Sequence, residues 1–162
     1  MPEIHPTAVV DSGAAIADDV TVGAYAIVEA DVTIGPGCGI GPYARIRRHT
    51  TMGTGNTVDS YASIGGPPQD LQFDPATETH VVIGDKNTFR EGVTISRATT
   101  AGQATVIGSN TYWMANAHAG HDVTVDDGVI LTNGAMIGGH AHVGRQCVLG
   151  GGSAVHQFCR LG

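Results

Sequence analysis

The sequence predicts an all-β solenoid, a parallel β-helix of stacked six-residue repeats in one domain spanning residues 1–162. Two observations carry this. Stepping by six from Ile4 meets Val10, Ile16, Val22, Val28, Ile34, Ile40, Ile46, Met52, Val58 and Ile64, an unbroken aliphatic series. A glycine often follows, as in Val22-Gly23, Ile34-Gly35 and Ile40-Gly41. Neither the 3.6-residue period of a helix nor simple alternation fits as well, and self-similarity at a fixed period marks a repeat protein.

Each hexad supplies a short strand with one inward side chain, then a turn whose Gly, Asn or Asp tolerates positive φ. Three hexads close a triangular coil, and successive coils advance about 4.8 Å through parallel ladder bonds. The series slips by one residue across 65–82. It then resumes as Ile83, Phe89, Ile95, Ala101, Ile107, Trp113, Ala119, Val125, Leu131, Ile137, Val143, Leu149, Val155 and Leu161. Residues 65–82 hold Pro67, Pro68 and Pro75, and residues 96–105 lack a large aliphatic in phase. Both segments are expected to protrude as loops, where binding groups commonly sit on a rigid scaffold.

Composition agrees with this architecture. Among 162 residues there are 24 Gly but only three Phe and one Trp, so small β-formers replace bulky anchors. The net charge of −7 argues against a broad nucleic-acid footprint. No apolar run is long enough to span a bilayer, and the repeat starts too early for a secretory leader. Cys38, Cys147 and Cys159 are an odd number, expected as reduced and mostly buried thiols of a cytoplasmic protein. Arg45, Arg47, Arg48 and His49 cluster, with Arg90 and Arg97 further on, and suit either an acidic partner or ion pairing.

Eight His match the eight Lys plus Arg and are unevenly spread. Hexads starting at Ala119, Ile137 and Val155 stack in successive coils. They carry His121 and Asp122, Gly139 and His140, then His156 and Gln157, while His118 leads into the first. Four histidines therefore converge on a strip of about 10 Å. Such a strip suits general-base catalysis near neutral pH, zinc binding by three imidazoles, or a polar solenoid face; clustering favours function over the last. Asp122 is placed to support a histidine, although adjacent strand residues point to opposite faces, so a direct His121–Asp122 bond within one chain is not assured. Ser153 and Cys159 lie in no nucleophile motif. The Gly-rich runs match no phosphate loop, but an N–H beside Gly139 suits an oxyanion.

These residues carry a resemblance. The hexads resemble the left-handed β-helix acyltransferases. Within them, the chain is most similar to the acyl carrier protein–UDP-N-acetylglucosamine O-acyltransferases of lipid A synthesis. The matching motifs are Pro68-Gln69-Asp70-Leu71, Ile83-Gly84-Asp85, Arg90-Glu91, Asn116-Ala117-His118, Gly120-His121-Asp122 and Val155-His156-Gln157-Phe158-Cys159. The resemblance implies transfer of a 3-hydroxyacyl chain from acyl carrier protein to the sugar 3-hydroxyl. His121 is then the base, Asp122 its support and the Gly139 N–H the oxyanion donor. Asp70, Gln72, His118, His140, His156 and Gln157 contact substrate. No metal or cofactor is implied, and sites lie between subunits of a homotrimer. The chain departs from the pattern at Gln72, where Lys is usual, at Ser96 beside Arg97, and at Ala119. It ends at Leu161-Gly162 inside a hexad, where the family continues with further coils and a helical domain. Two alternatives are a γ-class carbonic anhydrase-like zinc enzyme on the same fold and a non-catalytic, truncated trimeric homologue.

Overall fold

The computed structural model describes residues 1–162. The chain forms 24 strands, most of two residues, and no helix, so none is long and apolar enough to cross a membrane. The strands sort into three parallel sheets of eight, each strand pairing with the one three places further along the chain. Thr21 pairs with Gly39 and Val22 with Ile40, and Asn56 sits over Cys38 at the same separation of 18 residues, which is one coil. The three sheets are the faces of a triangular prism.

The interruptions are measured by the same pairing. Val58 pairs with Phe89 and Ile64 with Ile95, a step of 31 residues that also separates Asn56 from Asn87. The first loop, residues 67–79, is therefore an insertion between strands Ser63–Gly66 and His80–Ile83. Its length is two hexads plus one, which is why the repeat slips by one. Phe89 pairs with Trp113 and Ile95 with Ala119, a step of 24 residues that also separates Asn87 from Thr111. The second insertion is therefore one whole hexad and passes without disturbing the phase. Ala101, which falls in step with the core series, is consequently an exposed loop residue. Both loops are also narrower than expected. Gly65, Gly66 and residues 80–82 extend strands, as do Ser96, Ala104 and Thr105.

The prism buries two side chains per hexad, not one. Val20 with Val22, Ala26 with Val28, and Val32 with Ile34 are all essentially inaccessible. The partner two positions before each strand residue closes the preceding turn, and at one corner it is repeatedly a buried alanine, as at Ala26, Ala44, Ala62, Ala117 and Ala135. Thirty-two buried residues form one continuous cluster. At one corner the partner turns polar. Asn56 Oδ1 accepts from the Asn87 N–H and Nδ2. Asn87 Oδ1 accepts from the Thr111 N–H and hydroxyl, and Trp113 Nε1 donates to Thr111. This ladder satisfies groups that would be costly to bury unpaired.

Three of the grouped basic residues are ion-paired within the chain. Arg45 pairs with Glu29 at 2.6 Å, Arg48 with Asp31 at 2.9 Å, and Arg90 with both Asp59 and Glu91. Arg97 is buried and lies over the Phe73 ring. The thiols are less sheltered than expected. Only Cys38 is buried; Cys147 is intermediate and Cys159, on the terminal coil, is exposed.

Candidate active site

Strand pairing sets the site. His118 pairs with Met136, and Met136 with Ala154. The turns that follow therefore stack as three columns: Gly120–Gly138–His156, His121–Gly139–Gln157, and Asp122–His140–Phe158. The histidines do not form one vertical line. His121, His140 and His156 occupy three different positions of one repeated turn and run diagonally across it. His118 belongs to the adjoining strand, half-buried on the sheet face.

The relation of His121 to Asp122 is decided by the turn. Asp122, His140 and Phe158 have φ of 58°, 59° and 62°, the left-handed region that non-glycine residues seldom adopt. There the alternation of a strand no longer applies, and the Asp122 carboxylate folds back on its neighbour. His121 Nδ1 lies 2.8 Å from Asp122 Oδ2. A carboxylate only accepts, so Nδ1 carries a hydrogen, and Nε2 is the ring atom turned away from Asp122.

Asp122 is held from the other side by the second loop. The Thr99 N–H and hydroxyl both donate to it, the latter at 2.7 Å, and the Asp122 N–H donates to Thr105 Oγ1. Burial raises the Asp122 pKa, but the bonds from Thr99 and His121 outweigh it and leave the group below the ordinary aspartate value. Thr99 and Thr105 were not legible in the sequence; no motif marks a threonine that acts through a carboxylate on the next coil.

The neighbouring groups complete the arrangement. The His140 ring meets His121 edge-on at 5.1 Å between centroids and stacks flat on Phe158 at 4.7 Å. The His118 Nδ1 and Thr94 hydroxyl are 2.7 Å apart, and burial lowers the His118 pKa, favouring its neutral form. His156 Nδ1 lies 3.2 Å from the Gln157 carbonyl, so its Nε2 is also free to accept. Gly139 is bare for a reason: a Cβ there would stand 2.6 Å from His121 Cε1 and 2.8 Å from Nε2. Its N–H makes no hydrogen bond within the chain. Gly120 keeps that N–H open, since a Cβ at 120 would lie 2.9 Å from the Gly139 nitrogen.

Two adjoining clefts collect these groups. One is lined by His118, His121, Gly139, His156 and Gln157, together with Gln69 of the first loop. The other places Asp70 and Gln72 of the same loop against His121, His140, Gln157 and Phe158. All the expected site residues except Asp122 thus line one continuous concavity within a single chain, and Asp122 stands behind His121. Asp70 also shapes its loop, accepting from the Gln72 N–H at 2.9 Å. His121, Asp122 and His140 place one ligand atom each within 4.8 Å of one another, so a metal could be held here geometrically. The Asp122 oxygens are already engaged by Thr99 and His121, and the set is better suited to orienting a base.

The repeat and the prism place the chain among the hexapeptide-repeat transferases of left-handed β-helix fold. The bacterial transferase hexapeptide model (six repeats) matches residues 13–48 and 104–139. Within that class the chain is similar to the acyl carrier protein–UDP-N-acetylglucosamine O-acyltransferases. It is 49% identical over 162 residues to the acyl-[acyl-carrier-protein]–UDP-N-acetylglucosamine O-acyltransferase of Stenotrophomonas maltophilia, covering 99% of this chain and 61% of the relative. It is 55% identical over 160 residues to that of Anaeromyxobacter dehalogenans, covering 98% and 62%. The crystal structure of UDP-N-acetylglucosamine O-acyltransferase from Moraxella catarrhalis superposes with a TM-score of 0.95 at 41% identity, over 98% of this chain and 62% of that one. The chain therefore spans about 61% of the length of the curated relatives it matches.

Proposed function

We propose that the protein transfers a 3-hydroxyacyl group from acyl carrier protein to the 3-hydroxyl of UDP-N-acetylglucosamine, the acylation that opens lipid A synthesis. The observation that carries this is the 2.8 Å His121–Asp122 bond beside the unpaired Gly139 N–H. His121 Nε2 takes the proton of the sugar hydroxyl as its oxygen attacks the thioester carbonyl. The tetrahedral oxyanion accepts from the Gly139 N–H. On collapse the C–S bond breaks, and the His121 imidazolium returns its proton to the departing carrier thiolate. Asp122 fixes the tautomer and stabilises the charged ring. Asp70, Gln72, His118, His140, His156 and Gln157 bind the sugar nucleotide or acyl chain. The working form is a cytoplasmic homotrimer whose sites lie at subunit boundaries.

The test is incubation with UDP-N-acetylglucosamine and 3-hydroxyacyl carrier protein, with product followed by mass spectrometry. The chain is assayed beside a longer version spanning the relatives' full length. Acylated sugar nucleotide that disappears in His121→Ala supports the reading. No product from either chain, or a His121→Ala variant as fast as the parent, refutes it.

A further inference from the structure

We propose that His49, Glu78 and His80 form a binding site for a divalent transition-metal ion of the zinc class, separate from the acyltransferase site. The pairing of Val81 with Thr50 places His80 directly beside His49 on adjacent coils. Their rings meet edge-on at 5.5 Å. Glu78, at the end of the first loop, brings Oε1 to 3.7 Å from His80 Nε2. One ligand atom from each residue lies within 4.8 Å of the others. They line a small cleft with Asp31 and Thr51, in which no wall residue is apolar.

The chemistry selects the ion. Two imidazoles and one carboxylate favour Zn²⁺, Co²⁺, Ni²⁺ or Cu²⁺ over Mg²⁺ and Ca²⁺, which prefer oxygen. Zinc bonds of about 2.0–2.2 Å put tetrahedral ligand atoms roughly 3.4 Å apart. The exposed Glu78 side chain and rotation of the two rings supply the remaining closure. Solvent fills the other position. The donor atoms are uncommitted, since neither ring makes a hydrogen bond within the chain. In the His121–Asp122–His140 group, by contrast, the carboxylate already has three donated bonds. Burial also holds the His49 ring below the ordinary imidazole pKa, favouring the neutral, ligating form. Arg48 is the nearby opposing charge, and Asp31 neutralises it at 2.9 Å.

Bound metal ties the end of the 67–79 loop to the coil beneath it. That loop carries Asp70 and Gln72 to the catalytic cleft, so the ion acts as a clip on a substrate-facing segment. The experiment is calorimetric titration of ZnCl₂ into tag-free, chelator-treated full chain, with MgCl₂ as control. Variants are His49→Ala, His80→Ala, Glu78→Gln and His121→Ala, each checked for native circular dichroism. The expected result is one site per chain for zinc and none for magnesium. Affinity falls at least about tenfold in the first three variants and stays unchanged in His121→Ala. Glu78 is exposed, so its variant does not threaten the fold. No zinc binding up to about 1 mM, or binding lost only in His121→Ala, overturns the proposal.

Discussion

Adding one methyl group at Gly139 tests the geometry of the site directly. Gly139 is not in the left-handed region, so alanine costs no backbone strain there. Its Cβ would instead stand 2.6 Å from His121 Cε1, where ordinary contact begins at 3.4 Å. The imidazole must withdraw by most of that difference, and the 2.8 Å bond to Asp122 stretches or bends with it. Misplacing a reacting group by about 1 Å costs on the order of 10²-fold, equivalent to about 2.7 kcal/mol of barrier. Gly139→Ala is therefore expected to lower kcat by about 10² while leaving KM for the sugar nucleotide and the thermal midpoint nearly unchanged. Because the loss acts through His121, adding Gly139→Ala to a His121→Ala background should cost less than about fivefold. Steady-state kinetics with mass-spectrometric detection, alongside a melting curve, reads each quantity. A Gly139→Ala enzyme within about threefold of the parent would show that neither the ring position nor the adjoining N–H matters to turnover.

Three further outcomes are expected. Asp122→Asn should lower kcat by about 10²–10⁴, because the neutral amide cannot stabilise a protonated His121, and with its oxygen kept toward His121 its NH2 faces the Thr99 N–H as donor against donor. Its melting point should also approach that of the parent in acid. The folded-state pKa of Asp122 is lowered, so its stabilising contribution is complete above the unfolded aspartate value and is lost as pH falls through the folded value; a gap that widens in acid refutes this. Asn87→Ala removes both partners of a buried ladder and strands the Thr111 N–H, costing about 2–5 kcal/mol by denaturant unfolding; a loss below about 1 kcal/mol contradicts the assigned bonds. Gln72→Lys places a cation in the cleft beside His121 and His140, and should lower KM for the anionic sugar nucleotide several-fold at low salt. That gain should fade at high ionic strength.

The sequence by itself determined the prism. A six-residue aliphatic period admits only a short strand and turn, and three such units close on themselves, so fold, coil length and the meeting of the site histidines were all legible. It also marked His121, Asp122, Gly139 and the first loop through local motifs. It did not reveal that each hexad buries two side chains. The second set is mostly Ala, Val and Cys, which a search for large aliphatics passes over. Nor could it place Ala101, because an insertion of one whole hexad leaves the period intact.

Only the tertiary structure decided how the candidate site is assembled. Strand alternation left a direct bond between His121 and Asp122 unassured; the left-handed turn at Asp122 brings them together. Thr99 reaches Asp122 across 23 residues, and His80 returns beside His49 only after the whole of the first loop. Contacts made between coils depend on where each insertion returns the chain, and the lengths of those insertions become meaningful only once the strands have paired.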